Sequence, residues 1–219
     1  MRLLLINPNS STHITDRMVA SARTTLVQGD VLTAVTAIDG PAVVRSAELL
    51  AQADASAMAL ADAHASQHDA IVLGISLDGA APRLRQHHPE LPIVGMTEAG
   101  LLSACLQSER IGLLTLGASV IPLYRQRVEQ IGLASRVVAY QAPESVLAFA
   151  AETPLVDAAV LDVLADASER LRQDGAQSIV MAGAVLCGYA KALAARCEMP
   201  VFDGVACAVG HVRILLARM

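Results

Sequence analysis

The chain has 219 residues, of which 54 % are hydrophobic and 2 % aromatic, and its net charge is −5 with Lys191 as the only lysine. This balance argues against nucleic acid as a partner, because no basic patch or aromatic platform is visible. No apolar run reaches the ~18–20 residues of a membrane span, and the opening MRLLLINPNSS lacks the apolar length of a secretion signal, so the expected location is cytoplasmic.

The first strand-like segment is RLLLIN from Arg2, followed by a polar turn over Asn7–Ser11. Asn7, Asn9 and Ser10 are candidate substrate contacts, and the competing reading is a local helix cap. His13 falls in the first turn of the next helix and is read as solvated. SAELLAQADASAMALADAHAS from Ser46 is the next helical stretch, and AIVL from Ala70 is a strand buried on both faces. Its turn carries Ile75, Ser76 and Asp78. Ile75 either lines a pocket or packs within the loop. Asp78 is a candidate acid or base, weighed against an Asx turn. RQHHPELP holds His87 and His88 in a polar connection, and no metal site is expected there or elsewhere. LPIVGM from Leu91 is the last strand of this half, and Glu98 beyond it faces a cleft or caps a helix.

RIGLLTLGAS from Arg110 opens a second series, with Thr115 and Ser119 as counterparts of the first polar turn. A helix is expected to start near Pro154 and to close at Gly175. SIVM from Ser178 is a buried strand whose turn holds Gly183, Ala184 and Cys187. MPVFDG from Met199 is the final strand, with Asp203 placed to orient loops between the halves. VACAVGHVRILLARM reads as a helix packing back on the first half. Cys105, Cys187, Cys197 and Cys207 show no C-x-x-C pair and read as small buried hydrophobes, with Cys187 alone near the turns.

The two series are related by a constant offset. Arg110 − Arg2, Ala176 − His68 and Met199 − Leu91 all equal 108. The expected fold is therefore α/β, as two pseudo-symmetric flavodoxin- or Rossmann-like parallel-sheet lobes arising from an internal duplication. Residues 1–98 with a helix at about 206–219 would form one lobe and 99–205 the other. Ligands of such sheets bind beyond the carboxyl ends of the strands. The cleft between the lobes would then be lined by Asn7–Ser11, Gly74–Gly79, Met96–Glu98, Thr115–Ser119, Ala182–Cys187 and Asp203–Val205. No phosphate-loop or dinucleotide glycine pattern occurs, so no cofactor is expected.

INPNSS, PIVGMTEAGLLSA, AGAVLCG and MPVFDGVACAV, in this order and over nearly the whole chain, resemble the aspartate/glutamate/hydantoin racemase superfamily, most closely its hydantoin-racemase-like branch. The resemblance implies a homo-oligomeric isomerase acting at the Cα of a small carboxylate or cyclic imide, of hydantoin or aspartate/glutamate type. It also implies two cysteines, one on each face of that carbon. Here those positions fall on Ile75 and Gly183, so the acid and base must be other groups; Cys187 and Asp78 are the candidates. LGISL resembles the oxyanion loop of arylmalonate decarboxylases, which need a cysteine where this chain has Gly183. The alternatives are a catalytically silent metabolite-binding protein, or a lyase or hydrolase of the same superfamily.

Overall fold

Short, wholly apolar runs fold as the inner strands of parallel sheets, since helices cover both faces. The computed structural model describes residues 1–144 and 155–218. It contains two four-stranded parallel sheets. The first holds β1 (Arg2–Asn7), β2 (Val31–Thr36), β3 (Ala70–Leu73) and β4 (Ile93–Gly95) in the order β2-β1-β3-β4. The second holds β5 (Ile111–Leu114), β6 (Val137–Gln141), β7 (Ser178–Met181) and β8 (Val201–Asp203) in the order β6-β5-β7-β8. The expected α/β architecture of two parallel-sheet lobes is therefore the observed one.

The duplication extends to residue pairing. Leu3 lies opposite Ala70 and Ile111 opposite Ser178, while Ile71 lies opposite Ile93 and Ile179 opposite Val201. Each member of the second pair sits 108 positions after its counterpart (111 − 3, 178 − 70, 179 − 71, 201 − 93). The edge strands break this relation. On β6 the register shifts between Ile111 and Gly112, whose partners are Val137 and Ala139.

Helices connect the strands: α1 (Thr12–Arg23), α2 (Ala47–His64), α3 (Ala81–His87), α4 (Met96–Cys105), α5 (Ile121–Gln130), α6 (Ala158–Gln173), α7 (Ala190–Cys197) and α8 (Gly204–Leu216). α6 begins after its N-cap Asp157, whose side chain accepts from Val160 N. Pro154, expected near that start, lies outside the described residues. No helix among the described residues is long and apolar enough to cross a membrane.

The last helix of each half covers the other half's sheet. α8 contributes Val205, Ala208, Val209 and Val212 to a core with Leu3, Leu5, Met18 and Val72. α4 contributes Leu101 and Ala104 to a core with Ile111, Leu113 and Val180. The two helices cross closely at their starts, where a Cβ on Gly204 would lie 2.5 Å from the Met96 carbonyl oxygen. Further along, Ser103 Oγ and His211 Nε2 are hydrogen-bonded at 3.0 Å. Both contacts join positions 108 apart (204 − 96, 211 − 103), so they mark the pseudo-twofold axis.

Candidate active site

The carboxyl ends of β1, β3, β5 and β7 face one another across a cavity of about 360 Å³. This lies within the range of small-molecule pockets. Its wall includes Asn9, Ile75, Ser76, Thr115, Ser119, Gly183 and Ala184, all of them anticipated from the turns.

The turn after β1 is shaped by Asn7. Its Nδ2 donates to the Ser11 carbonyl at 3.1 Å and to Thr15 Oγ1 at 2.9 Å, while its Oδ1 accepts from Asn9 N at 3.0 Å. Asn7, a candidate substrate contact from the sequence, is fully buried and lies off the cavity wall. Its amide is used up in closing the turn that delivers Asn9. Ser10 is likewise off the wall, its backbone N–H donating to the Pro41 carbonyl at 3.2 Å. Asn9 is different. Its Oδ1 is buried on the wall with no hydrogen-bond partner among the described residues. An orphaned buried acceptor is costly, and a ligand N–H would relieve it.

In the turn after β3, Ile75 is only 3 % exposed. It packs with Ile6, Leu73 and Ala57 and also touches the cavity, so both readings of this residue describe the same side chain. Asp78 turns away from the cavity. Held at φ +49°, it is fully buried, and its carboxylate accepts from Thr97 N at 3.3 Å and Glu98 N at 2.8 Å. It caps α4 and, like Cys187, is a candidate acid or base that lies off the cavity wall. Burial pushes its pKa up to about 7 against the pull of those two N–H groups and of Arg127. Thr97 Oγ1 donates to the Ser76 carbonyl, fixing the turn to the same helix start.

On the second lobe, Tyr124 of α5 joins the wall. Its hydroxyl donates to the Ala182 carbonyl at 2.7 Å and lies 3.4 Å from Thr115 Oγ1. Burial pushes this phenol up to about 12. It is therefore a donor and a poor base. Gly183 is extended (φ 174°), and a Cβ there would meet only Leu186 at 3.5 Å and Thr115 Oγ1 at 3.9 Å. The position has room for a side chain that the sequence does not provide.

Cys187 is buried in the core with Leu3 and Val72, outside the cavity. Burial and the nearby Asp203 carboxylate push its thiol pKa well up, so it stays protonated. Cys187, a candidate acid or base from the sequence, therefore lies off the cavity: a tight turn after Gly183 carries it past the wall. Arg17 of α1 secures this turn, donating to the carbonyls of Val185 at 2.9 Å, Cys187 at 3.2 Å and Leu155 at 2.6 Å. Tyr189 is also fully buried, with its hydroxyl accepting from Asp157 N.

Met96–Glu98 and Asp203–Val205 do not line the cavity either. They form the starts of α4 and α8 at the axis. Asp203 accepts from Ser21 Oγ at 2.6 Å and Gly188 N at 2.9 Å, and so does join α1 to the second-lobe turn. Glu98 pairs with Arg85 at 2.9 Å and Arg127 at 3.4 Å.

The sequence reading missed several wall residues: His13, the loop Ala42–Arg45, Tyr124 and Glu144. His13 is half-buried on the wall, because the Asn7 turn aims the first turn of α1 at the cleft. One signal was available for the loops bearing Ala42–Arg45 and Glu144. They follow β2 and β6, and every strand of a parallel sheet ends on the same edge.

A model of the Asp/Glu/Hydantoin racemase family matches residues 3–212. Hydantoin racemase from Paenarthrobacter aurescens is 28 % identical over 222 residues, which cover 99 % of this chain and 92 % of that protein. Allantoin racemase from Pseudomonas fluorescens shares the fold with a TM-score of 0.90 at 24 % identity, covering 100 % of this chain and 92 % of that one. The allantoin racemase from Klebsiella pneumoniae gives a TM-score of 0.85 at 23 % identity, covering 100 % and 88 % of the two chains. The match across both lobes, in the order of the motifs that line the cleft, makes this chain a member of the Asp/Glu/Hydantoin racemase family.

Proposed function

We propose that this chain is an isomerase that inverts an acidic stereocentre in a small cyclic imide or ureide of the hydantoin or allantoin type, using groups other than a thiol pair. One observation carries the choice of ligand: on the cavity wall Asn9 presents a buried amide oxygen that has no partner among the described residues. Ring N–H groups of an imide satisfy that acceptor, and a simple carboxylate does not. Substrates named for relatives with 28 % and 24 % identity point to the same class.

Inversion requires the Cα–H bond to break, its electron pair to move onto an adjacent carbonyl oxygen, and a proton to return on the other face. Backbone N–H groups and the hydroxyls of Ser76 and Thr115 are the groups that would hold the developing oxyanion. His13, the one imidazole among the described wall residues, is the candidate base on the first-lobe side. Tyr124, its hydroxyl hydrogen held by the Ala182 carbonyl, shapes the second-lobe side of the cavity. The working form is proposed to be a cytoplasmic homo-oligomer, with exposed Leu106 and Ile214 as surface for self-association.

A second reading, a metabolite-binding protein without turnover, is favoured by one specific feature. Ile75 and Gly183, where the family resemblance implies a cysteine on each face of the substrate carbon, carry no titratable side chain. Incubating single enantiomers of hydantoins and allantoin in deuterated water separates the two. Cα deuteration that His13→Ala slows at least tenfold supports the isomerase. Saturable binding by calorimetry with no deuteration of any enantiomer replaces it with the binding protein.

A further inference from the structure

The first-lobe surface carries a cluster that the cavity does not use. Asp62 lies in the last turn of α2, His87 ends α3, and His88 follows it. Asp62 Oδ1 is 3.2 Å from His87 Nε2 and 3.1 Å from His88 Nε2, and the three atoms all lie within 4.8 Å of one another. Consecutive residues on a helix point about 100° apart around its axis. His88 escapes that constraint because it has left the helix, with φ −124° and ψ 66°. Its ring stands nearly perpendicular to that of His87, at an interplanar angle of 88° and a centroid distance of 4.9 Å. Both Nε2 atoms thereby converge on a single carboxylate oxygen.

We propose that Asp62, His87 and His88 form a surface site for a divalent first-row transition-metal ion of the zinc class. Donors around a tetrahedral ion with bonds of about 2.0–2.1 Å sit about 3.3 Å apart. The two imidazole-to-carboxylate distances of 3.2 and 3.1 Å match that spacing. Two imidazoles and one carboxylate select zinc, cobalt or nickel over magnesium or calcium, which favour all-oxygen sets. Glu90 Oε1 lies 3.9 Å from His88 Nδ1, on the ring nitrogen that would face away from the ion. That separation is too long for a hydrogen bond, so Glu90 adds negative charge beside the ring without orienting it. The side chains of Asp62 and His87 are 52 % and 58 % exposed, which leaves water to complete the coordination.

The ion would tie the far end of α2 to the far end of α3. These helices begin just after two cavity loops, Ala42–Arg45 and Ile75–Leu77. The metal therefore acts as a staple behind the cleft, remote from the reacting groups.

The test uses the untagged full-length chain after chelation and dialysis, titrated with Zn²⁺ by calorimetry and with Co²⁺ by visible absorption. One ion per chain is expected, with micromolar affinity and a Zn²⁺-dependent rise in melting temperature. Asp62→Asn and His87→Ala, both at exposed side chains, each weaken binding about tenfold or more. They abolish the thermal shift while the far-ultraviolet circular dichroism stays unchanged. His64→Ala, on the same helix, leaves affinity as it was. Absence of saturable sub-millimolar Zn²⁺ binding, or equal affinity in Asp62→Asn and His87→Ala, overturns the proposal.

Discussion

The starts of α4 and α8 pose one problem and receive two answers. Each is a helix N-terminus buried at the pseudo-twofold axis, where unpaired N–H groups need an acceptor. In the second lobe the answer is local. Asp203 stands immediately before α8, and its Oδ1 accepts from Val205 N at 3.0 Å and Ala206 N at 3.2 Å. In the first lobe the equivalent position is Gly95 (203 − 95 = 108), and Asp78 reaches in from another turn to bind Thr97 N and Glu98 N. A Cβ on Gly95 would lie 2.4 Å from Asp78 Cγ, so the two arrangements exclude each other. The counterpart of Asp78 is Leu186 (186 − 78 = 108), which is fully buried among apolar side chains. The duplication has kept an aspartate side chain at each helix start while moving the position that carries it.

The largest test of this comparison attacks the axis itself. Gly204→Ala puts a methyl 2.5 Å from the Met96 carbonyl oxygen, where backbone meets backbone. It is expected to cost about 3 kcal/mol by urea unfolding. Gly100→Ala on the partner helix meets a Val180 methyl at 2.9 Å and Gly204 Cα at an ordinary 3.6 Å, and is expected to cost about 1 kcal/mol.

The capping equivalence is broken or sharpened next. Asp78→Gly removes the cap without straining the positive φ and should cost about 2 kcal/mol. Adding Gly95→Asp to that variant rebuilds the second-lobe arrangement and should recover at least half of the loss. A double variant no more stable than Asp78→Gly refutes the equivalence.

The same carboxyl gives a pH trend. Burial raises Asp78 to about 7 from an ordinary 3.8, so between those values the folded chain holds a proton that the unfolded chain has released. The stability Asp78 supplies is thus greatest near pH 4 and falls as pH rises toward 7. The measurement is the unfolding free energy of wild type minus that of Asp78→Asn at several pH values. A difference that grows over that range contradicts the assignment.

The smallest effect is expected at Gly183→Cys. The extended backbone and open space predict a stability change below about 0.5 kcal/mol. The new thiol should also be alkylated faster than Cys187, scored by site-resolved mass spectrometry.

Much of this molecule is legible in its sequence because the duplication repeats the strands at fixed spacing. AIVL and SIVM announce buried parallel strands, and the offset of 108 places their turns opposite one another. The cavity wall at Asn9, Ser76, Thr115 and Gly183 follows from that symmetry alone. What sequence could not reveal depends on side-chain direction. Asp78 and Cys187 lie near the cleft in sequence, yet both turn inward, one to a helix start and the other to the core. His13 looked solvated because its exposure depends on the angle at which α1 leaves the Asn7 turn. Asp62 meets His87 and His88 only through the packing of two separate helices, which no local pattern encodes.

The Ser103–His211 hydrogen bond has a consequence for the molecule's architecture. In a dimer of identical halves, a residue on the symmetry axis can face only its own copy. Serine would meet serine there, or imidazole would meet imidazole. Joining both halves in one polypeptide lifts that restriction, so unlike partners can be selected at the seam. The same freedom lets a glycine face a methionine carbonyl at the crossing, and it lets a single continuous gene tune each side of the pocket separately.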